Sequence, residues 1–353
     1  MDFKAALAST SGDVETNLRS FFQEQHALAS EVDVHIAQSV KLLEEFSLRG
    51  GKYIRPFLVR LGAELAGGSF TDCLDIASAV ELHHKHILIL DDISDRDETR
   101  YGGPTLEYRY IELFGNTKND KHRALSFAML DAVFLGSLSR ELLFTSPVSP
   151  EVTKKCLQIL GRTMFRDTLA GWQIHGLQAN QPLSMAKEDE FVKGLLLVTA
   201  KYTFEGPLCI GLTIAGNSDT KLEESLQTYA RSVGTAFQIQ DDILGLFGKT
   251  EETGKPVGND VREGKKTLLL QYAYKQSSAS DQEFLERVCG SQLTSSDLER
   301  VQEIVTATGS LKYSQDLAKD FVKKGISAIT HLASSPAKQH LLDLAHYIID
   351  RKS

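Results

Sequence analysis

Asp91, Asp92 and Asp95 close one long apolar run, and Asp241 and Asp242 close a second far downstream. Carboxylates are hard oxygen ligands, suited to magnesium, which bridges protein carboxylates to phosphate oxygens. The first set lies in Glu81-Leu82-His83-His84-Lys85-His86-Ile87-Leu88-Ile89-Leu90-Asp91-Asp92-Ile93-Ser94-Asp95. In a helix, a rotation of about 100° per residue puts His84, Asp91 and Asp95 in a sector about 40° wide. Carboxylates that extend an apolar stripe are costly unless cations neutralise them. Either pair alone could be an exposed acidic helix end. Two pairs, each near the end of an apolar helix, point to a metal held between them.

Basic groups stand in two places that could meet the same chemistry. In Gly50-Gly51-Lys52-Tyr53-Ile54-Arg55-Pro56 the glycines free the backbone, and Lys52 and Arg55 follow three residues apart. An ammonium beside a planar guanidinium suits a diphosphate, although a solvated helix start would look the same. The second is the stretch from Gly254 to Thr267, which adds basic groups within reach of bound phosphates.

Helices are predicted to position these groups. Gly and Pro fall between apolar segments, and no series of alternating β-branched runs appears. Residues 13–48 read as one or two amphipathic helices, with Leu18, Phe21, Phe22, Leu28, Val32, Val34, Ile36, Val40 and Leu43 inward. Further helices are expected over 52–66, 72–95, 123–143, 151–178, 188–215, 221–247, 265–275, 281–289, 295–307, 310–332 and 336–350. Thr99–Thr105, 115–123 and 248–264 read as connections. The expectation is one all-α domain over residues 1–353, with a split near residue 180 as the alternative.

The chain has 353 residues, 42% hydrophobic and 24% charged, an ordinary globular balance. A net charge of −8 argues against a nucleic-acid partner and leaves anionic ligands to local basic clusters. Cys73, Cys156, Cys209 and Cys289 have no paired spacing, as expected of reduced core residues in a cytoplasmic protein. No signal core is evident, and no apolar run approaches the roughly 18 residues of a spanning helix.

The ordered series GGKYIRP, ELHHKHILILDDISD, TRYGGPT, KYTFEGPL, FQIQDDILG and GKPVGNDVREGKKT resembles the all-trans isoprenyl diphosphate synthases, among them farnesyl and geranylgeranyl diphosphate synthases. The resemblance runs from about residue 40 to 275. It implies a helical bundle with a deep central cavity, the acidic motifs facing each other at its mouth. It also implies a magnesium-dependent 1′-4 condensation of isopentenyl diphosphate with an allylic diphosphate, and a homodimer. Residue by residue, Asp91, Asp92 and Asp95 match the first metal-binding motif, and Asp241 and Asp242 begin the second. Arg100 matches an arginine on the allylic diphosphate. Lys52, Arg55 and His84 match the isopentenyl diphosphate site. Gln238, Lys255, Lys265 and Thr199 match further diphosphate-side positions.

Several positions depart from that pattern. Tyr101 follows Arg100 where the family has a second arginine, and Val198 stands for the lysine before Thr199; Lys201, one turn on, is the candidate substitute. Gly245 replaces the third aspartate of the second motif, and Trp172 and His175 stand for glutamine and aspartate. Restoring Tyr101→Arg or Val198→Lys is expected to raise activity. Ile87 and His86, short of a large aromatic, favour a geranylgeranyl over a farnesyl product, with Ser126, Phe127 and Leu130 as another possible floor.

Other classes compete. A non-catalytic subunit would keep the fold and bind without elongating. A class I terpene cyclase shares the first motif, and Asn180, Ser184 and Glu188 have the spacing of its second, but Pro182 breaks the helix it needs. Glu81-x-x-His84 lacks the second copy of a di-iron bundle. His83, His84 and His86 could bind zinc, yet neighbouring helical histidines are more often polar-face or singly functional.

Overall fold

A computed structural model describes residues 2–248 and 257–351. Lys255, one of the expected diphosphate ligands, lies outside these residues. The architecture is all-α, and contacts divide the chain into two units. The first takes the chain up to Leu157 together with Ile210–Asn217; the second takes Gln158–Cys209 and the chain from Ser218 onward.

In the first unit α1 (Phe3–Val32), α2 (Val34–Leu48) and α3 (Ile54–Leu65) precede α4 (Leu74–Asp95). Asp33 both ends α1 and caps α2, its carboxylate accepting from the His35 amide at 2.8 Å. That junction corrects part of the expected core. Leu18, Phe21, Phe22, Val40 and Leu43 are buried, but Leu28, Val32 and Val34, beside the break, are exposed, and Ile36 is half-buried. The first helix also starts ten residues earlier than its periodicity suggests, because Asp2 caps it, accepting from the Lys4 amide at 2.6 Å.

After α4 comes a two-stranded hairpin, β1 (Thr99–Arg100) and β2 (Gly103–Pro104), then α5 (Leu106–Phe114) and α6 (Lys118–Thr145). Neither the hairpin nor α5 was anticipated. The hairpin turns through Tyr101 at φ 52° and Gly102 at φ 72°. It is braced from below by Arg49, which donates to the Pro104 carbonyl at 2.7 Å. A Cβ at Gly103 would stand 2.6 Å from that guanidinium, so a side chain there would displace the brace. Thr117 and Asp120 form a reciprocal cap that starts α6 inside the segment expected to be a connection. α4 packs along α6 and lies against α1 and α3.

In the second unit, α7 (Pro150–Ile159), which begins in the first, leads through wide π-type turns at Leu160–Arg166 into α8 (Asp167–Ala179). α9 (Glu188–Leu195) passes through a second π-type stretch, Leu196–Glu205, into α10 (Gly206–Ile214). The long α11 (Thr220–Phe247) follows, then a four-residue α12 (Asn259–Arg262) within the segment expected to be a loop. α13 (Leu268–Gln276), α14 (Ala279–Val288), α15 (Ser295–Ala307), α16 (Ser310–Ile329) and α17 (Pro336–Asp350) complete it. α11 is the central helix of this unit, packed on α16, α17 and the Leu196–Glu205 stretch.

Two expectations about composition change. None of the four cysteines is disulfide-bonded, but Cys209 and Cys289 are only half-buried, unlike Cys73 and Cys156. The helical run Glu188–Ile214 is long and apolar enough to cross a membrane, and 72% of its most apolar window is buried, as in a core helix.

Candidate active site

The last turn of α4 carries Asp91, Asp92 and Asp95 at the negative end of the helix dipole, where extra negative charge is unfavourable. The hairpin answers this. Arg100 on β1 turns its guanidinium back, donating through Nε to Asp92 Oδ1 at 2.7 Å and through Nη2 to Asp91 at 3.2 Å and Asp97 at 3.3 Å. Nη2 also bonds Asp92. Burial alone would make this guanidinium easier to deprotonate; Asp92 and Asp91 outweigh it and hold the charge firmly. The expected grouping of Asp91, Asp92 and Arg100 is thus present. Asp97, bonded through the same Nη2, was not anticipated.

Further back on α4, Glu81, His83, His84, Lys85 and His86 are all buried. The His84 imidazole is held well below the usual histidine range, first by burial and then by the positive charges of Arg55, Lys85 and Arg100. Arg55 and His84, predicted to share a diphosphate site, are therefore electrostatic neighbours, while Lys52 is exposed. A neutral imidazole among cations is a ready hydrogen-bonding partner for an anion. His86 instead bonds the Ala132 carbonyl at 2.7 Å.

In the second unit, Thr199 donates to Gln238 Oε1 at 2.6 Å, and Gln238 donates to Asp242 at 3.0 Å, joining three predicted residues in one chain of bonds. Asp242 is buried, and its other oxygen has no hydrogen-bond partner. Burial, the Asp260 carboxylate and Asp241 push its pKa well above the usual range, against the pull of Lys265. Lys265 lies 3.3 Å from Asp260 and 2.9 Å from Glu263. Asp260 was missed: it lies well along the sequence, yet its carboxylate stands 3.1 Å from where a Cβ on Gly245 would be. It fills the place left by the glycine in the second motif.

Asp241 has a different partner. Arg351, just beyond α17, donates to it at 2.5 Å and to the Phe237 carbonyl at 2.8 Å. Lys201, the proposed substitute for a lysine at 198, points to Asp167 at 2.5 Å. Burial would raise the Asp167 carboxyl, but Lys201 and Arg166 together hold it below its usual range. Lys201 is thus engaged in a structural pair. His175 stacks on Phe191, and burial pushes its pKa down to about 4. A shallow cleft of this unit, lined by Lys187, Val192, Lys275 and Phe321 among others, contains none of the predicted site residues.

Among the described residues, no three His, Cys, Asp or Glu side chains converge as a metal cage. Magnesium does not require one, since it usually keeps waters and takes one or two carboxylates plus substrate phosphates. Asp242, buried, repelled by the Asp260 and Asp241 carboxylates and with an oxygen unsatisfied, fits such an ion.

The profile of the polyprenyl synthetase family matches residues 38–307, and the chain belongs to that family. It is a polyprenyl diphosphate synthase, a prenyltransferase of the chain-elongating kind. It is 32% identical to a geranylfarnesyl diphosphate synthase of Aeropyrum pernix over 86% of this chain and 91% of the relative. It is 30% identical to a geranylgeranyl diphosphate synthase of Methanosarcina mazei over 86% of each chain. A solved geranylgeranyl pyrophosphate synthase from Corynebacterium glutamicum, complexed with isoprenyl diphosphate and magnesium, superposes with a TM-score of 0.89 at 25% identity, covering 99% of this chain and all of that one.

Proposed function

We propose that this chain condenses isopentenyl diphosphate with a short allylic diphosphate, head to tail, to give geranylgeranyl or farnesyl diphosphate. The observation that carries the reading is Asp242: a buried carboxyl, repelled by Asp260 and Asp241, is costly as an anion unless a cation joins it. Asp91, Asp92 and Asp95 in one unit and Asp241 and Asp242 in the other would each hold magnesium on substrate diphosphate. When bound, the ion supplies charge neutralisation to a departing diphosphate.

The rest falls to side chains. Arg100 would follow the allylic diphosphate, exchanging carboxylate partners for phosphate oxygens of the same geometry. Lys52, Arg55 and neutral His84 would grip isopentenyl diphosphate. Thr199, Gln238, Lys265 and Lys255 would add contacts on the diphosphate side. Apolar surroundings would exclude water, so that as the allylic carbon–oxygen bond breaks the carbon is attacked by the isopentenyl double bond and a proton is then lost, the departing pyrophosphate serving as a base.

We further read residues 1–353 as one prenyltransferase domain, supported by the whole-length likeness to solved synthases. A homodimer is supported by α6, whose Phe127, Met129, Leu130 and Val133 are exposed. Cysteines without disulfides and the buried apolar run favour a cytoplasmic enzyme. The direct test is to incubate the purified chain with magnesium, isopentenyl diphosphate and each short allylic diphosphate and weigh the products; a longer diphosphate supports the reading, a hydrocarbon or no product opposes it.

A further inference from the structure

Lys85 is an odd residue to bury on α4. Its side chain has no exposed surface, and its ammonium donates to the Gly50 carbonyl at 2.5 Å. Glu81, one turn earlier, lies 3.5 Å away, with its second oxygen lacking a hydrogen-bond partner. The ring centroids of Tyr101 and Tyr53 stand 4.9 Å and 5.5 Å from the ammonium. A buried ion pair is seldom the most stabilising way to fill such a space, since apolar side chains of similar volume do as well or better. What the pair does specify is where the Gly50 carbonyl sits.

That carbonyl opens a segment held in rarely used backbone. Gly50 has φ 154°, Gly51 φ 142° and Tyr53 φ 48°, the last a left-handed conformation for a bulky residue. A Cβ on Gly51 would meet the Lys85 ammonium at 3.1 Å, and one on Gly50 would meet the Tyr101 side chain at 3.7 Å. Lys85 therefore lies beneath the turn, with Tyr101 packed against it. Lys52 sits inside this segment and Arg55 in the first turn of α3 that it launches. Neither Tyr53 nor the glycines supply a side-chain cap to α3, so the turn is fixed from outside.

We propose that Lys85 is a positioning residue for isopentenyl diphosphate: by holding the Gly50 carbonyl it sets the turn from which Lys52 and Arg55 reach that diphosphate. Glu81 lies alongside the ammonium and the Tyr101 ring closes the pocket over it. The inference rests on the reading of Lys52 and Arg55 as isopentenyl diphosphate ligands. It predicts a selective defect, because the allylic contacts assigned to Arg100 do not pass through the turn.

The test compares Glu81→Gln/Lys85→Met, which removes both charges and leaves no orphaned ion, with Glu81→Gln alone, which keeps the bond to Gly50. In the double variant the KM for isopentenyl diphosphate should rise about tenfold or more, with the allylic KM and the kcat at saturation within about threefold of wild type. Glu81→Gln should leave both KM values near wild type. Calorimetric titration with isopentenyl diphosphate alone should report the same loss in the double variant, and thermal melts check folding. If both KM values move together, if neither moves in a folded double variant, or if Glu81→Gln alone reproduces the defect, Lys85 does not act through the turn. Should the double variant not fold, Gly51→Ala, which pushes on the same ammonium, must show the selective rise or the idea fails. A wild-type chain that neither binds nor extends isopentenyl diphosphate would remove the functional reading itself, and the inference with it.

Discussion

Arg351 holds Asp241 at 2.5 Å across 110 positions of sequence, its guanidinium also lying 4.0 Å from the Phe237 ring centroid. The arginine is buried while the aspartate is partly exposed. One of the two carboxylates that open the second acidic motif is thus paired with a protein cation.

This pairing makes Arg351 a competitor for Asp241. Arg351→Gln should lower the magnesium concentration giving half-maximal activity, measured by titration against a chelator-buffered series. Loss of one charge-assisted bond to a partly exposed carboxylate should cost about 1 kcal/mol of stability, read from urea midpoints. An unchanged or raised magnesium requirement would mean that Asp241 is not a metal ligand.

At position 101 the structure alters the expected effect of restoring an arginine. The Tyr101 ring lies against the Lys85 ammonium and has left-handed backbone at φ 52°. A guanidinium there would face a buried cation, so Tyr101→Arg should weaken isopentenyl diphosphate binding, whereas Tyr101→Phe, which keeps the ring, should not. Val198→Lys adds a cation next to Thr199 on a half-buried site and should raise activity. Steady-state KM values for the two substrates separate these outcomes.

Acid should destabilise the fold through buried histidine. Burial pushes His86 down to about 4, against the help of its Ala132 bond, with Arg140 adding to the fall. In the unfolded chain it titrates near about 6.5, so between those values the unfolded state binds the extra proton. Stability is therefore lost as pH falls from about 6.5 towards 4, and flattens below. His175, also lowered to about 4, contributes in the same window. His86→Gln should reduce the slope of urea midpoint against pH between 6.5 and 4.5; an unchanged slope would show that His86 charges freely when folded.

Exposed Leu130 and Val133 on α6, at 64% and 63%, should bury against a second copy. Leu130→Glu/Val133→Glu should convert a dimer to a monomer by light scattering with little change in far-ultraviolet circular dichroism. A wild-type chain that is already monomeric would contradict this.

The acidic ends of α4 and α11 were legible in the sequence because carboxylates on an apolar helix are conspicuous locally. Their partners were not. Arg351 reaches Asp241 only when α17 has packed on α11, and Asp260 takes the place beside Gly245 only through the fold of α12. Lys201 looked available because its spacing from Thr199 is local, whereas its partner Asp167 is on another helix. The hairpin escaped notice because two-residue strands leave no alternating pattern, and its brace, Arg49, precedes it by about fifty residues. Helix type was readable throughout; what sits opposite each charge was set by tertiary packing.

The central claim is that the carboxylates of α4 and α11 hold magnesium so that an allylic diphosphate can depart and be extended. It is tested most directly by weighing the products of wild type, Asp91→Ala and Asp241→Ala with magnesium, isopentenyl diphosphate and an allylic diphosphate. The wild type should yield a diphosphate longer by five-carbon units, and each variant should lose turnover by about a thousandfold or more while keeping its helical spectrum. Elongation retained by either variant, or a wild type that binds the allylic substrate without extending it, would contradict the account.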